Sequence, residues 1–192
     1  MIRVENLYKS FGEKEVLKNV CLKLAPGKIT CLMGASGIGK TTLANILAGL
    51  VKPDNGKISS PSDMRVSMVF QEDRLLEWET ALTNILFVAS RRQATNTAID
   101  LLTQAGLSDS ANKKAAKLSG GMKRRVSICR ALIAQHNFLI LDEPFKGLDA
   151  ETKHKIMDMV KANAVDKYTL CITHDPAEVE YLGGYTISIL NP

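Results

Sequence analysis

Nine consecutive residues, Gly34-Ala35-Ser36-Gly37-Ile38-Gly39-Lys40-Thr41-Thr42, carry the spacing of a loop that wraps nucleotide phosphates. The glycines let the backbone come close enough for its N–H groups to point at phosphate oxygens, beside a helix N-terminus that favours negative charge. In this pattern Lys40 reaches the β- and γ-phosphates and the Thr41 hydroxyl holds Mg²⁺. A second group, Asp142-Glu143, closes the apolar run Phe138-Leu139-Ile140-Leu141. In open parallel sheets ligands lie beyond the carboxyl ends of the strands, so Asp142 is expected beside the Mg²⁺ of a bound nucleotide. His174 follows another apolar run, Tyr168 to Thr173, and is expected on the same sheet edge. Phosphoryl transfer needs charge neutralisation, alignment and a positioned water, which these residue types can supply.

The elements that must position these groups are legible in the apolar pattern. Ile29 to Met33 reads as a buried strand entering the loop, and Thr41 to Leu50 as the helix leaving it, with Leu43, Ile46, Leu47 and Leu50 at helical spacing. Upstream, Ile2, Val4 and Leu7 begin a strand, Gly12-Glu13-Lys14 turns, and Val16 to Leu24 returns, which describes an antiparallel hairpin. Phe11, just before that turn, either stacks on an adenine ring or packs on its own hairpin. A short strand is expected at Lys57 to Ser59, and a buried one from Arg65 to Phe70 that ends in Gln71. From Glu72 to Ala116 the periodicity becomes helical: Ala81, Leu82, Ile85, Leu86 and Ala89, then Ala98, Leu101, Leu102 and Ala105, with Gly106 as a stop. Ser119 is placed to cap a further helix with one buried stripe, Met122, Val126, Cys129 and Ile133. Helices from Ala150 to Lys161 and Ala177 to Leu182, and a strand from Thr186 to Leu190, finish the chain.

Composition sets the frame. A chain of 192 residues, 45% hydrophobic, holds one substantial core and reads as a folded soluble domain. No apolar run approaches the roughly 18 residues of a membrane-spanning helix, and the N-terminus has no secretory pattern, so membrane association is expected through a partner. Cys21, Cys31, Cys129 and Cys171 lack metal spacing and lie in apolar runs, as buried reduced thiols of a cytosolic protein would. The net charge of +5 suits an ATP-binding protein, and equally contact with nucleic acid or a membrane surface. Lys113, Lys114, Lys117, Lys123, Arg124, Arg125 and Arg130 form a basic stretch expected to be a solvated face. No aromatics interleave with it, which speaks against single-stranded nucleic acid. His136 and His154 are expected at the surface.

Together, Gly34 to Thr42, Gln71, Leu118-Ser119-Gly120-Gly121, Leu141-Asp142-Glu143-Pro144, Leu148-Asp149 and His174 resemble the ATP-binding-cassette (ABC) transporter ATPases over almost the whole chain. The resemblance implies an α/β phosphate-loop NTPase core with a mostly parallel sheet flanked by helices. Residues 1–71 and 135–192 would form a RecA-like core with an N-terminal antiparallel β subdomain, and residues 72–134 an inserted helical subdomain. It further implies that Phe11 stacks on adenine, that Gly34, Ala35, Ser36, Gly37, Ile38, Gly39, Lys40, Thr41 and Thr42 cradle the phosphates, and that Thr41, Gln71 and Asp142 order Mg²⁺. Glu143 would be the general base, His174 would bridge the γ-phosphate and a partner, and Ser119, Gly120, Gly121 and Asp149 would complete the ATP site of a second copy in a head-to-tail dimer.

The stretch Phe70 to Trp78, the Met after Ser119-Gly120-Gly121 and the Phe after Asp142-Glu143-Pro144 resemble importers of the nitrate, sulfonate and taurine group. That implies an ATPase at the cytoplasmic face of the cell membrane, served by a solute-binding protein and held by permease subunits near Leu75, Leu76 and Trp78, unless those three side chains simply pack the insertion. An exporter ATPase is the alternative on the same fold. A soluble cassette acting on nucleic acid or ribosomes would need a coiled-coil insertion or a tandem cassette. Lys146, where a small residue is common, and Arg124, where Gln is frequent, depart from the group.

Overall fold

The computed structural model describes residues 1–89 and 94–188. Its first half runs β1 (Ile2–Phe11), β2 (Lys14–Leu24), β3 (Ile29–Met33), α1 (Lys40–Leu47), β4 (Asn55–Ser59) and β5 (Val66–Val69). The helices α2 (Ala81–Leu86), α3 (Ala94–Gln104) and α4 (Gly120–Ile133) follow. The rest is β6 (Phe138–Asp142), α5 (Ala150–Asn163), β7 (Tyr168–Ile172), α6 (Pro176–Leu182) and β8 (Tyr185–Ser188).

Two sheets result. β1 pairs antiparallel with β2 through Gly12, and on its other side with β4, Val4 facing Ile58, so the expected hairpin becomes a three-stranded sheet. The second sheet is parallel, in the order β5-β6-β7-β3-β8. Its central strands are buried throughout, and their alternating side chains feed two cores. Phe138 and Ile140 of β6, with Leu170 and Ile172 of β7, pack toward Leu43 and Leu47 of α1 and Leu17 and Leu24 of β2. Leu139, Leu141 and Cys171 point the other way, into a core shared with Ile85 of α2, Leu102 of α3, Val126 of α4 and Ile156 of α5. The sheet is thus held from both faces, and its carboxyl edge carries Met33, Val69, Asp142 and Ile172 to one end.

Several expectations change. Helix α1 stops at Leu47, with Ala48 as its C-cap, rather than at Leu50. The last strand begins at Tyr185; Ile189 and Leu190 lie outside the described residues. Cys21 is exposed, because the period of β2 buries Val20 and Leu22 and turns Cys21 outward with Lys23. His136 is buried: its Nδ1 lies 2.6 Å from the Ala134 carbonyl oxygen and its Nε2 2.9 Å from Asn163 Oδ1 at the end of α5.

The basic stretch is a solvated face only at Lys113, Lys114 and Lys117. Its arginines turn inward because the connector after β5 and the end of α3 leave backbone carbonyls that need donors. Arg124 donates to the carbonyls of Phe70, at 2.7 Å, and Gln71. Arg130 donates to Arg74 and Asp73, and Arg125 to Ala105 at 2.8 Å.

Candidate functional site

Strand β3 delivers the chain into the phosphate-type loop, and α1 begins at Lys40. The Lys40 side chain is folded over that loop, its Nζ donating to the carbonyls of Gly34 at 2.8 Å and Ala35 at 2.9 Å. An otherwise costly, nearly buried ammonium is thereby hydrogen-bonded. Gly39 caps α1 with φ 103°, and a Cβ there would stand 2.6 Å from Leu17 Cδ2 and 2.9 Å from the Val16 carbonyl oxygen. The N-terminal sheet is therefore packed directly against the loop, and only glycine fits between them.

Beside the loop, Thr41 Oγ1 donates to Asp142 Oδ2 at 2.8 Å, joining the start of α1 to the end of β6. Asp142 is 2% exposed, and burial raises its carboxyl above the usual range against the opposing effect of the Thr41 hydrogen bond. Glu143 follows with φ 48°, a left-handed backbone that non-glycine residues seldom adopt and that turns the chain out of the strand. Its amide is held by the Ile172 carbonyl at 3.0 Å. Of its carboxylate oxygens, Oε1 lies 3.8 Å from His174 Nδ1, and Oε2 lies 3.4 Å from Lys146 Nζ without a hydrogen bond.

A pocket of about 390 Å³ is lined by Ser36, Gly37, Gly39, Lys40, Thr41 and Thr42 of the loop and by Gln71, Asp142 and Glu143 across from it. The structure thus brings together three stretches that the sequence separates widely. Lys14 and Val16 also line this pocket, two residues that the sequence reading missed. Their only signal is the hairpin's nearness to the loop, and that is a tertiary fact. Phe11 is 53% exposed and does not line it; its ring sits 5.3 Å from Lys9 Nζ. A second hollow, about 190 Å³, lies on the far side of Glu143 and is lined by Lys146, Gly147, His174 and Asp175.

Ser119, Gly120, Gly121 and Asp149 stand outside the phosphate-type pocket. Ser119 Oγ accepts from the Met122 amide at 3.3 Å and Asp149 Oδ1 from the Thr152 amide at 2.9 Å, each capping the helix that follows it. That amide bond holds the exposed Asp149 carboxyl below its usual range.

The family model described as "ABC transporter" matches residues 17–146. The chain belongs to the ABC transporter family. It is 39% identical over 196 residues to the aliphatic sulfonates import ATP-binding protein SsuB 1 of Xanthomonas axonopodis pv. citri (strain 306), spanning 94% of this chain and 77% of that one. It is 36% identical over 206 residues to the taurine import ATP-binding protein TauB of Yersinia pseudotuberculosis serotype I (strain IP32953), spanning 100% of this chain and 80% of that one. Among solved structures, the dimeric structure of MJ0796, a bacterial ABC transporter cassette, superposes with a TM-score of 0.86 at 31% identity, over 98% of this chain and 94% of that one. A second structure of that cassette, a post-hydrolysis state bound to ADP and Pi, gives 0.84.

The ABC chain thus has the α/β cassette fold expected from its sequence. Of its three candidate permease-facing residues, Leu75 is packed against the helical core and Leu76 is half-buried, while Trp78 is 67% exposed. Glu77, between them, pairs with Lys123 Nζ at 2.9 Å.

Proposed function

We propose that this ABC ATPase powers import of a small sulfonate- or taurine-like solute, working as a nucleotide-binding subunit at the cytoplasmic face of a membrane through permease subunits. The import assignment is supported by the names of its sulfonate and taurine relatives. Hydrolysis is supported by family membership and by the ADP- and Pi-bound state of its structural neighbour. The single observation that carries the mechanism is the Thr41–Asp142 hydrogen bond of 2.8 Å, which sets a loop hydroxyl and a strand-end carboxylate at one point below the phosphate-type loop.

The donor set fits Mg²⁺. Thr41 Oγ1, Asp142 Oδ2 and Gln71 offer oxygen donors in one pocket, and among the described residues the buried Asp142 carboxylate makes no ion pair. When bound, Mg²⁺ would neutralise charge on the β- and γ-phosphates. Lys40 would leave the carbonyls of Gly34 and Ala35 for those phosphates, while Gly34 to Thr42 present their amides. Glu143 would orient the attacking water and take up its proton, with His174 steadying that carboxylate and the γ-phosphate. Phe11 would meet the adenine from its exposed position. The residues outside the pocket, Ser119 to Gly121 and Asp149, would close the site of a second copy, consistent with the dimeric structure of the neighbour. The division into a core of residues 1–71 and 135–192 and a helical unit of residues 72–134 follows the change from sheet to helices, with Trp78 presented to the permease.

Recovery of the tagged chain from its own membranes tests this reading. An integral membrane protein is expected to co-purify with wild type and to be depleted with Trp78→Ala. Recovery of the chain without any membrane protein contradicts the transport assignment.

A further inference from the structure

We propose that Lys146 is a positioning residue that latches the Glu143 carboxylate in the uncovered subunit and slows hydrolysis. The inference rests on the reading of Glu143 as the general base. Glu143 forms the wall between two hollows, the phosphate-type pocket with Lys40 and Thr41, and the smaller one with Lys146 and His174. Its carboxylate is met from the second side: Lys146 Nζ stands 3.4 Å from Oε2 and His174 Nδ1 3.8 Å from Oε1. Oε2 is buried and has no hydrogen bond, so the Lys146 ion pair is its one polar partner among the described residues. The pairing is built into the turn. Lys146 is three residues beyond Glu143, its amide reaches the Glu143 carbonyl at 3.4 Å, and Gly147 with φ 78° carries the chain onward.

A carboxylate that must orient a water in the phosphate-type pocket gives up this contact when it turns there. The latch therefore competes with the reactive arrangement, and its strength sets the effect. Lys146 is 60% exposed on its side chain, which makes the pair an exposed one of modest worth. Lys146 does not line the phosphate-type pocket, so its removal should act on turnover and not on nucleotide capture.

Steady-state ATP hydrolysis by wild type, Lys146→Ala, Lys146→Met and Lys146→Arg, with Glu143→Gln alongside, tests the latch. Both uncharged variants are expected to raise kcat roughly 1.5- to 5-fold with KM for ATP unchanged. Lys146→Arg, which keeps the ion pair, is expected to stay near wild type. An unchanged or lowered kcat in Lys146→Ala and Lys146→Met, with Glu143→Gln inactive, overturns the latch alone. Full turnover by Glu143→Gln overturns the base assignment and the latch with it.

Discussion

Asp142, proposed to order Mg²⁺, would take that role at a cost to the fold. It is buried, and burial is the largest influence on it, raising its carboxyl above the model-compound value of 3.8. A raised carboxyl pKa means that the ionised form is penalised in the fold: the penalty is complete above the folded pKa and vanishes below about pH 3.8. Asp142→Asn keeps an acceptor for Thr41 Oγ1 and removes the charge. In EDTA near neutral pH it is expected to stabilise the chain by on the order of 1 kcal/mol, or about 2–4 °C, and the gain should fade as pH falls toward 4. The same variant should lose Mg²⁺-dependent ATP turnover. Thermal melts across pH, paired with an ATPase assay, check both halves. Lys40 invites a simpler measurement. Its ammonium is a donor to the Gly34 and Ala35 carbonyls, so Lys40→Ala is expected to cost on the order of 1–2 kcal/mol in urea titration and to weaken ATP binding at least tenfold by calorimetry.

At the scale of elements, the connector from Phe70 to Arg74 depends on helix α4. Arg124 joins the Phe70 and Gln71 carbonyls and stands 3.3 Å from Asp73 Oδ1, while burial raises the Asp73 carboxyl against the pull of Arg124. Removing the guanidinium leaves two carbonyls and a half-buried acid without it. Arg124→Ala is therefore expected to lower stability by about 2–3 kcal/mol in urea titration. It should also weaken MgATP binding, because Gln71 is displaced. Arg124→Lys should recover only part, since it loses the planar fork whose two terminal nitrogens meet the Phe70 and Gln71 carbonyls while Nε faces Asp73. The elements themselves were legible where periodicity was strong: β3, β6 and β7 as apolar runs, α4 from its cap at Ser119 and its stripe from Met122 to Ile133. The arginines were not legible. A charge run in a sequence looks the same whether it faces water or backbone carbonyls from a distant loop, and only packing decides. Cys21 and His136 were misplaced for the same reason: which face of β2 turned outward, and which loop Asn163 covered, are tertiary outcomes.

At the scale of the molecule, the motif residues divide. Ser36, Gly37, Gly39 to Thr42, Gln71, Asp142 and Glu143 meet in one pocket at the carboxyl edge of a parallel sheet, while Gly34, Ala35 and Ile38 do not line it. Ser119 to Gly121 and Asp149 do not join it, which a second copy would explain. Glu143→Gln with MgATP is accordingly expected to elute as a dimer in size exclusion, and a monomer under saturating nucleotide would count against the shared site. Lys14 and Val16, by contrast, enter the pocket from the N-terminal sheet through the contact at Gly39, and no motif marks them. The most direct test of the central claim is phosphate release from MgATP by the purified chain, wild type beside Glu143→Gln. Steady turnover in wild type, lowered about 10²- to 10⁴-fold by the substitution with nucleotide binding retained, is the predicted result. No Mg²⁺-dependent hydrolysis by wild type, or equal rates in the two proteins, would contradict it.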